Sequence, residues 1–496
     1  MTSGIRWQRS CSSDTASLTK RPFRCSSRSG GLSFTDSSPS SAVHVVGGGL
    51  AGSEAAYQLG SRGIPVVLHE MRPVQKTEAH RTDRLAELVC SNTLGNKLPH
   101  TAPGIFKREL DVLGSLVVSA ARASSVPAGG ALAVDRDAFA QAISDTLESL
   151  DNVTIVREEV TTLPLTAESR WLLATGPLTS PQLFQVIAEL TGTEDLYFYD
   201  AIAPIVDLQS VDPEIAFWAN RYDEESDGDY LNIPLDKAQY ERFIDDLLAA
   251  EQVPPKDFEE ERFFQGCQPI EAIAQKGRDS LRFGPMKPVG LFDPRAQRRP
   301  WAVLQLRRET RDGGAMNLVG FQTKLKYGEQ TRVLRSLPGM AEVEFLRLGS
   351  VHRNTFLNSP QLLDPGLRLA THPHLSFAGQ IVGCEGYTES SAMGLWAALC
   401  IVAERDGREL PPPPRDTMLG ALLGYIREAR GKRFEPMNVN FGLLPEDGVR
   451  VKKAGKKAHR VARGEVCVES MQRWAEEHGV ARPAPTLSTV ECAQAG

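Results

Sequence analysis

The chain has 496 residues, 41% of them hydrophobic and 24% charged, with 56 Lys+Arg against 62 Asp+Glu and a formal net charge of −6. This composition is globular and long enough to bury a sizeable core, at roughly 150 residues per domain about three units. It excludes a uniformly basic nucleic-acid coat protein and leaves room for a local basic patch. No run reaches the roughly 18 apolar residues of a membrane span, so no membrane association is expected. The eight cysteines lack CxxC spacing and make neither a disulfide framework nor a zinc site. A reducing, cytoplasmic setting with free thiols and no metal follows.

Residues 1–42 are Ser-rich and carry Arg6, Arg9, Lys20, Arg21, Arg24 and Arg28 against only Asp14 and Asp36. They read as a transit peptide, a disordered tail or a non-native extension from an upstream start, and are set apart from the fold. Val43, Val45 and Val46 then predict a short strand. Gly47, Gly49 and Gly52 give GxGxxG, in the string Gly47, Gly48, Gly49, Leu50, Ala51, Gly52, and Ser53–Ser61 has helical composition. Ile64–Glu70 predicts a second buried strand ending in an acid. Strand, Gly-rich turn, helix, strand and acid in this order are the dinucleotide fingerprint. Gly47 permits the tight turn, Gly49 lets backbone N–H groups approach a pyrophosphate, and Gly52 lets the helix pack on the strand. The helix N-terminus adds partial positive charge. Glu70, with no arginine directly beside it, suits a free ribose 2′-hydroxyl, hence FAD or NAD rather than NADP.

Cys90 follows in a polar loop with Ser91, Asn92 and Thr93. Trp171–Gly176 is an apolar strand running into Ala174-Thr175-Gly176, which resembles a strand-turn of two-dinucleotide flavoproteins. Cys267 lies in a Gly-Cys-x-Pro turn just before a helix start at Ile270–Lys276, where a thiol is activated. Each of these cysteines has the alternative of a small buried apolar residue. Leu375–Gly379 predicts a late strand, followed by Gln380 where such flavoproteins carry an acid, a Gly383–Gly386 turn and a helix of small residues. Cys384 in that turn is a rival thiol. Pro411–Pro414 reads as a linker. Arg450, Lys452, Lys453, Lys456, Lys457, His459, Arg460 and Arg463 form a basic run beside a helix ending near Glu477.

The expected fold is α/β, an FAD/NAD(P)-binding Rossmann-like flavoprotein domain built from both ends of the chain, with an inserted α+β domain. Its boundaries are 43–180 for the first part, 181–344 for the insertion, 345–465 for the second part with a basic C-terminal helix, and 466–496 for a tail.

Longer strings are more specific. Leu88-Val-Cys-Ser-Asn, Pro127-Ala-Gly-Gly-Ala-Leu-Ala-Val-Asp-Arg, Ala174-Thr-Gly-Pro-Leu-Thr-Ser-Pro, Arg282-Phe-Gly-Pro-Met-Lys-Pro-Val-Gly-Leu, Asn317-Leu-Val-Gly-Phe-Gln-Thr-Lys-Leu and Pro436-Met-Asn-Val-Asn-Phe-Gly-Leu closely resemble the TrmFO (Gid) family over about residues 43–450. These are folate- and FAD-dependent tRNA (uracil-5-)-methyltransferases. The resemblance implies formation of 5-methyluridine in the tRNA T loop, with 5,10-methylenetetrahydrofolate as carbon donor, FADH2 as reductant and NAD(P)H to recharge it. It implies two catalytic thiols at Cys90 and Cys267. Attack on uracil C6 is assigned to Cys267, and to Cys90 either removal of the C5 proton or closure of the resting site.

Arg282, Lys287 and Lys324 are candidate anchors for the folate glutamate tail or tRNA phosphate, with surface salt bridging as the plain alternative. His352 is a candidate to stack on pterin or flavin, or a satisfied core histidine. Arg295, Arg298, Arg299, Arg307, Arg308 and the 450–463 run are the expected electrostatic footprint for tRNA, and the target base is expected to flip out of its stack. No obligatory protein partner is evident. Two other readings stay open. One is the longer GidA-type flavoprotein acting at the wobble uridine with a partner GTPase. The other is a non-catalytic FAD-containing RNA-binding protein with no need of either cysteine.

Overall fold

Strands apolar on both faces belong in a parallel sheet covered on two sides, and Val43–Val46 and Val66–His69 have that character. In the computed structural model they pair in parallel with Val43 opposite Val66. Arg170–Leu173 pairs with the other side of Val43–Val46, Val153–Val156 lies beyond Val66–His69, and His372–Phe377 lies beyond Arg170–Leu173. Arg368–Leu369 closes one edge antiparallel. The late strand therefore stands beside the Ala174-Thr175-Gly176 strand, and one sheet is assembled from both ends of the chain. The structure describes residues 42–77, 79–164, 169–192, 196–222, 227–254, 268–310, 313–428, 434–446, 455–485 and 487. Cys267, the N-terminal extension and Arg450, Lys452 and Lys453 of the basic run lie outside them.

The helix Leu50–Gly60 begins three residues earlier than its composition suggests, directly on the glycine turn. It packs against Tyr387–Arg405, whose residues are mostly buried. A Cβ on Gly394 would stand 2.0 Å from the Ala51 carbonyl oxygen, so the two backbones meet with nothing between them.

Between the halves runs a second six-stranded sheet, antiparallel at each pairing. Its order is Phe217–Trp218, Tyr230–Leu235, Ala302–Arg308, Ala315–Leu318, Ile205–Asp207 and Phe345–Arg347. The helix Lys237–Ala249 starts on a capping box of Asp236 and Gln239, which satisfies otherwise orphaned N–H groups. Its Tyr240, Phe243, Ile244 and Leu247, at helical spacing, share a core with Leu231, Ile233 and Leu304. A separate, larger core takes in Val43, Leu59, Phe106, Leu172, Phe377 and Trp396. The architecture is thus a Rossmann-like α/β layer with an α+β insertion. Leu196–Ala201 and Val351–Phe356 pair antiparallel where the chain leaves and re-enters.

Two expectations change. Pro411–Pro414 is no free linker: a Cβ on Gly420 would meet the Pro414 and Pro413 carbonyls at 2.1 and 2.4 Å, so the segment lies directly against the Met418–Glu428 helix. The boundary at 465/466 falls inside one helix, Lys456–Glu477, whose Cys467, Met471 and Trp474 are buried in the larger core. Among the described residues no helix is long and apolar enough to cross a membrane.

The Met418–Glu428 helix is capped from outside. The fully buried Glu109 carboxylate accepts the Met418 N–H at 2.7 Å and the Leu419 N–H at 3.0 Å. Burial pushes the Glu109 carboxyl up to about 8, against the pull of those two N–H groups. A carboxyl unfolds to roughly 4.3, so the folded state holds the proton more tightly. This contribution is complete below the unfolded value and is lost as pH rises to about 8. Glu109 thereby lowers stability by up to about 1.4 kcal/mol per pH unit across that window. Glu109→Gln stays neutral, so its thermal melts at stepped pH should show a flatter decline than the parent's. Parallel declines would refute the assignment.

Candidate functional site

Four chain turns leave the carboxyl ends of adjacent parallel strands, where open α/β sheets bind ligands. They are Gly47–Gly49 after Val46, Glu70 after His69, Ala174–Gly176 after Leu173 and Gly379–Gln380 after Phe377. Together they line a cleft enclosing about 1000 Å³ of empty space. Gly47, Gly49, Leu50, Ala51, Glu70, Thr175, Gly176, Gly379 and Gln380 all face it. Gly48 and Gly52 lie behind its wall. Gly47 has φ of +101°, and a Cβ on Gly52 would stand 1.8 Å from the Gly47 carbonyl oxygen. A Cβ on Gly49 would meet nothing within 4 Å. The helix it opens has no side-chain cap and no acid in its first turn. An open, donor-rich helix N-terminus at the mouth of a cleft fits a dinucleotide pyrophosphate.

Glu70 is nearly fully buried. Its carboxylate accepts the Gly48 N–H at 2.9 Å and the backbone N–H and Nε of Arg72, both at 2.9 Å. Burial alone would raise its pKa. The hydrogen bonds and charge of Arg72, with the Gly48 N–H, outweigh that and hold it below the usual carboxylate range. The premise that no arginine stands beside Glu70 is therefore corrected: Arg72 is two residues on. Its guanidinium is shared between Glu70 and Glu87, at 2.9 and 3.1 Å, which neutralises it locally. Gln380 donates its amide to the buried Glu385 carboxylate at 2.9 Å, so the acid missing at 380 stands five residues further along.

Cys90 follows Val89 of the cleft wall, has no regular structure of its own and is held from three directions. The Tyr387 hydroxyl accepts the Cys90 and Ser91 N–H groups at 2.8 and 3.1 Å, and Tyr387 lines the cleft with Val89. Arg136 donates to the Leu88 and Cys90 carbonyls and pairs with Glu309 at 2.7 Å. Arg307 donates to the Asn92 Oδ1 at 2.8 and 3.1 Å, while the Asn92 amide donates to the Val134 and Arg308 carbonyls. The Cys90 thiol is half-exposed, 3.9 Å from the Ala201 carbonyl. Cys384, the rival thiol, is fully buried against the Gly379 carbonyl at 3.2 Å, and burial drives its pKa well up; it is the least reactive kind of cysteine.

Arg282, Lys287 and Lys324 lie off the described cleft wall. Arg282 is engaged in the way of the plain alternative: it donates to the Trp301 carbonyl, pairs with Asp279 and stacks on the Trp301 ring at 3.7 Å. Lys287 is exposed and Lys324 buried. His352 pairs through its backbone with Asp200. Arg295, Arg298 and Arg299 are exposed, but Arg307 is 5% exposed and leaves the tRNA footprint for the Cys90 loop. Sequence reasoning missed Arg72, Arg136 and Tyr387. Arg136 ended a quoted string and Tyr387 opened the small-residue helix. Among the described residues no cluster of three metal-ligating side chains occurs.

A family model described as glucose inhibited division protein A matches residues 42–409. The chain is 55% identical over 432 residues to the methylenetetrahydrofolate–tRNA-(uracil-5-)-methyltransferase TrmFO of Azorhizobium caulinodans, covering 84% of this chain and 92% of that protein. It is 50% identical over 436 residues to the protein of the same name from Heliobacterium modesticaldum, covering 88% and 98%. The chain belongs to the TrmFO family. Aquifex aeolicus GidA shares the fold at 16% identity, with a TM-score of 0.62 over 89% of this chain and 74% of that one.

In this TrmFO-family chain the glycines of the fingerprint have separable duties. Gly52→Ala forces a methyl into the Gly47 carbonyl and should give little folded protein. Gly49→Ala enters only open space, at a φ of −74° that alanine adopts, and should fold with an unchanged melt while losing bound flavin colour. Absorbance spectra and melting curves of the two variants check this. A yellow Gly49→Ala protein would remove the pyrophosphate from that spot.

Proposed function

We propose that this chain is a methylenetetrahydrofolate–tRNA-(uracil-5-)-methyltransferase, forming 5-methyluridine in the T loop of tRNA in the cytoplasm. Gly47–Gly52, Glu70, Thr175, Gly176, Gly379 and Gln380 would hold FAD. The carbon comes from 5,10-methylenetetrahydrofolate, and NAD(P)H recharges the flavin. Family membership supports the reaction. The observation that carries the reading is Tyr387, which lines the dinucleotide cleft and also holds the backbone of Cys90.

Uracil C5 is a poor nucleophile. The Cys267 thiolate adds to C6: the S–C6 bond forms and the ring electron pair moves onto the C4 oxygen as an enolate. The enolate then bonds through C5 to the methylene carbon, and one of the two folate nitrogens that held it leaves with its bonding pair. Cys90 receives the C5 proton, the second folate nitrogen leaves with its bonding pair to give an exocyclic methylene at C5, and once that carbon is reduced the ring enolate collapses and the C6–S bond breaks to return the Cys267 thiolate. Bound and reduced, FAD supplies the hydride that completes the methyl group. Lys287 and Lys324 are assigned to anionic groups of folate or tRNA, and His352 to the pterin or flavin ring. Arg295, Arg298, Arg299 and the basic stretch Lys456–Arg463 meet the tRNA backbone, local positive charge that offsets the net −6 there.

The test is purified protein with T-loop-unmodified tRNA, NADPH and methylenetetrahydrofolate labelled in the methylene carbon. Label should appear in T-loop 5-methyluridine. Cys267→Ala should abolish it, and Cys90→Ala should slow it at least about 100-fold, as loss of a general base does. A yellow protein that moves no label into the T loop would overturn the reading and direct the search to the wobble uridine. Binding of tRNA with turnover indifferent to both cysteines would favour a binding module.

A further inference from the structure

Two arginines from distant parts of the chain hold the Cys90 loop, and a third, Arg347, lies within electrostatic reach of Cys90. Arg136 opens the helix Arg136–Glu148, Arg307 lies near the end of Ala302–Arg308, and Arg347 ends Phe345–Arg347. The carboxylate acting on both Arg136 and Arg307 is Glu309, and Arg136 binds it directly. Arg307 donates to neutral acceptors, the Asn92 Oδ1 and Ser91 Oγ. Arg347 makes no side-chain hydrogen bond or ion pair among the described residues.

The backbone fixes where Arg347 stands. It pairs with Ile205. Three residues on, the Ser350 carbonyl accepts the Ile202 N–H at 2.7 Å. Ile202 follows Ala201, whose carbonyl touches the Cys90 thiol. The Arg347 guanidinium is disfavoured first by burial, then by Arg136 and Arg81, and is favoured by Tyr387 and Cys90. A guanidinium does not shed its proton under physiological conditions, so this crowding is relieved by an arriving anion.

We infer that this arginine cluster, with Arg347 as the member that has no partner among the described residues, seats a backbone phosphate of the tRNA next to the target uridine. The inference rests on the proposed methyltransferase reading. A planar fork of donors suits phosphate and carboxylate alike. The choice follows from distance along each substrate. A base flipped toward the catalytic thiols brings its own flanking phosphates with it. The folate carboxylates lie at the opposite end of that molecule from the reacting methylene.

The experiment measures tRNA affinity of the FAD-loaded protein at stepped salt, for the parent, Arg347→Gln and Arg347→Lys, alongside the KM for methylenetetrahydrofolate. Arg347→Gln should bind tRNA roughly tenfold more weakly. The slope of log affinity against log salt should become shallower by about 0.7 to 0.9, one counterion's share. Arg347→Lys should recover most of that slope, and the folate KM and flavin spectrum should not move. An unchanged slope with a raised folate KM would assign Arg347 to the folate carboxylate and overturn the proposal. No change in either, or loss of flavin from both variants, would overturn it as well. Should the parent make no 5-methyluridine, the methyltransferase reading falls, while the slope comparison still reports whether Arg347 meets a phosphate.

Discussion

The cleft depends on one backbone-to-backbone approach. Ala51, in the first turn of the helix behind the fingerprint, meets Gly394 on the late helix Tyr387–Arg405, and its methyl also faces Gly379. Only a residue without Cβ fits at 394, since interiors have no slack for an extra methyl. This contact sets the Gly47–Gly49 turn and the Gly379–Gln380 turn into one wall, although they come from opposite ends of the chain. It also aims the start of the late helix, Tyr387, toward the Cys90 loop. A small shift in this crossing would separate cofactor from thiol.

The contrast between cleft and thiol loop follows from how each is held. The cleft is carried by short parallel strands and their turns, with Glu70 locking the Gly48 N–H in place. The Cys90 loop is held by side chains reaching from elsewhere: Tyr387, Arg136 and Arg307. Charged groups buried for such a purpose need partners. Glu309 serves Arg136, and Asn92 and Ser91 serve Arg307. Among the described residues Arg347 is the group left without a partner, and the inferred anion seat rests on it.

What was legible in the sequence is what depends on local spacing. Val43–Val46, the glycine turn and Glu70 could be read because each is fixed by its near neighbours. The late strand at Phe377 and the insertion between halves also followed from composition and order. Contacts between residues far apart in sequence left no period to read. Tyr387 and Cys90 are 297 residues apart, and Asn92 and Arg307 are 215 apart. Arg307 looked like a surface cation because most arginines are. Glu109 and Lys107 are buried for the same reason that hides them from a pattern search: their partners are backbone groups at helix ends and loops. The polyproline run read as a linker because proline stiffens linkers, yet its carbonyls pack on a glycine of the next helix.

The most direct test of the central claim, that a cysteine of this flavoprotein scaffold attacks a tRNA uracil, is covalent trapping with tRNA carrying 5-fluorouridine in the T loop. A thiolate can add to C6 and the methylene can follow, but fluorine at C5 does not leave as a proton does, so the adduct persists. The account predicts a one-to-one protein–RNA complex that survives denaturation, requires methylenetetrahydrofolate to complete, and maps by peptide mass to Cys267. No adduct, or an adduct on any other residue, would contradict it.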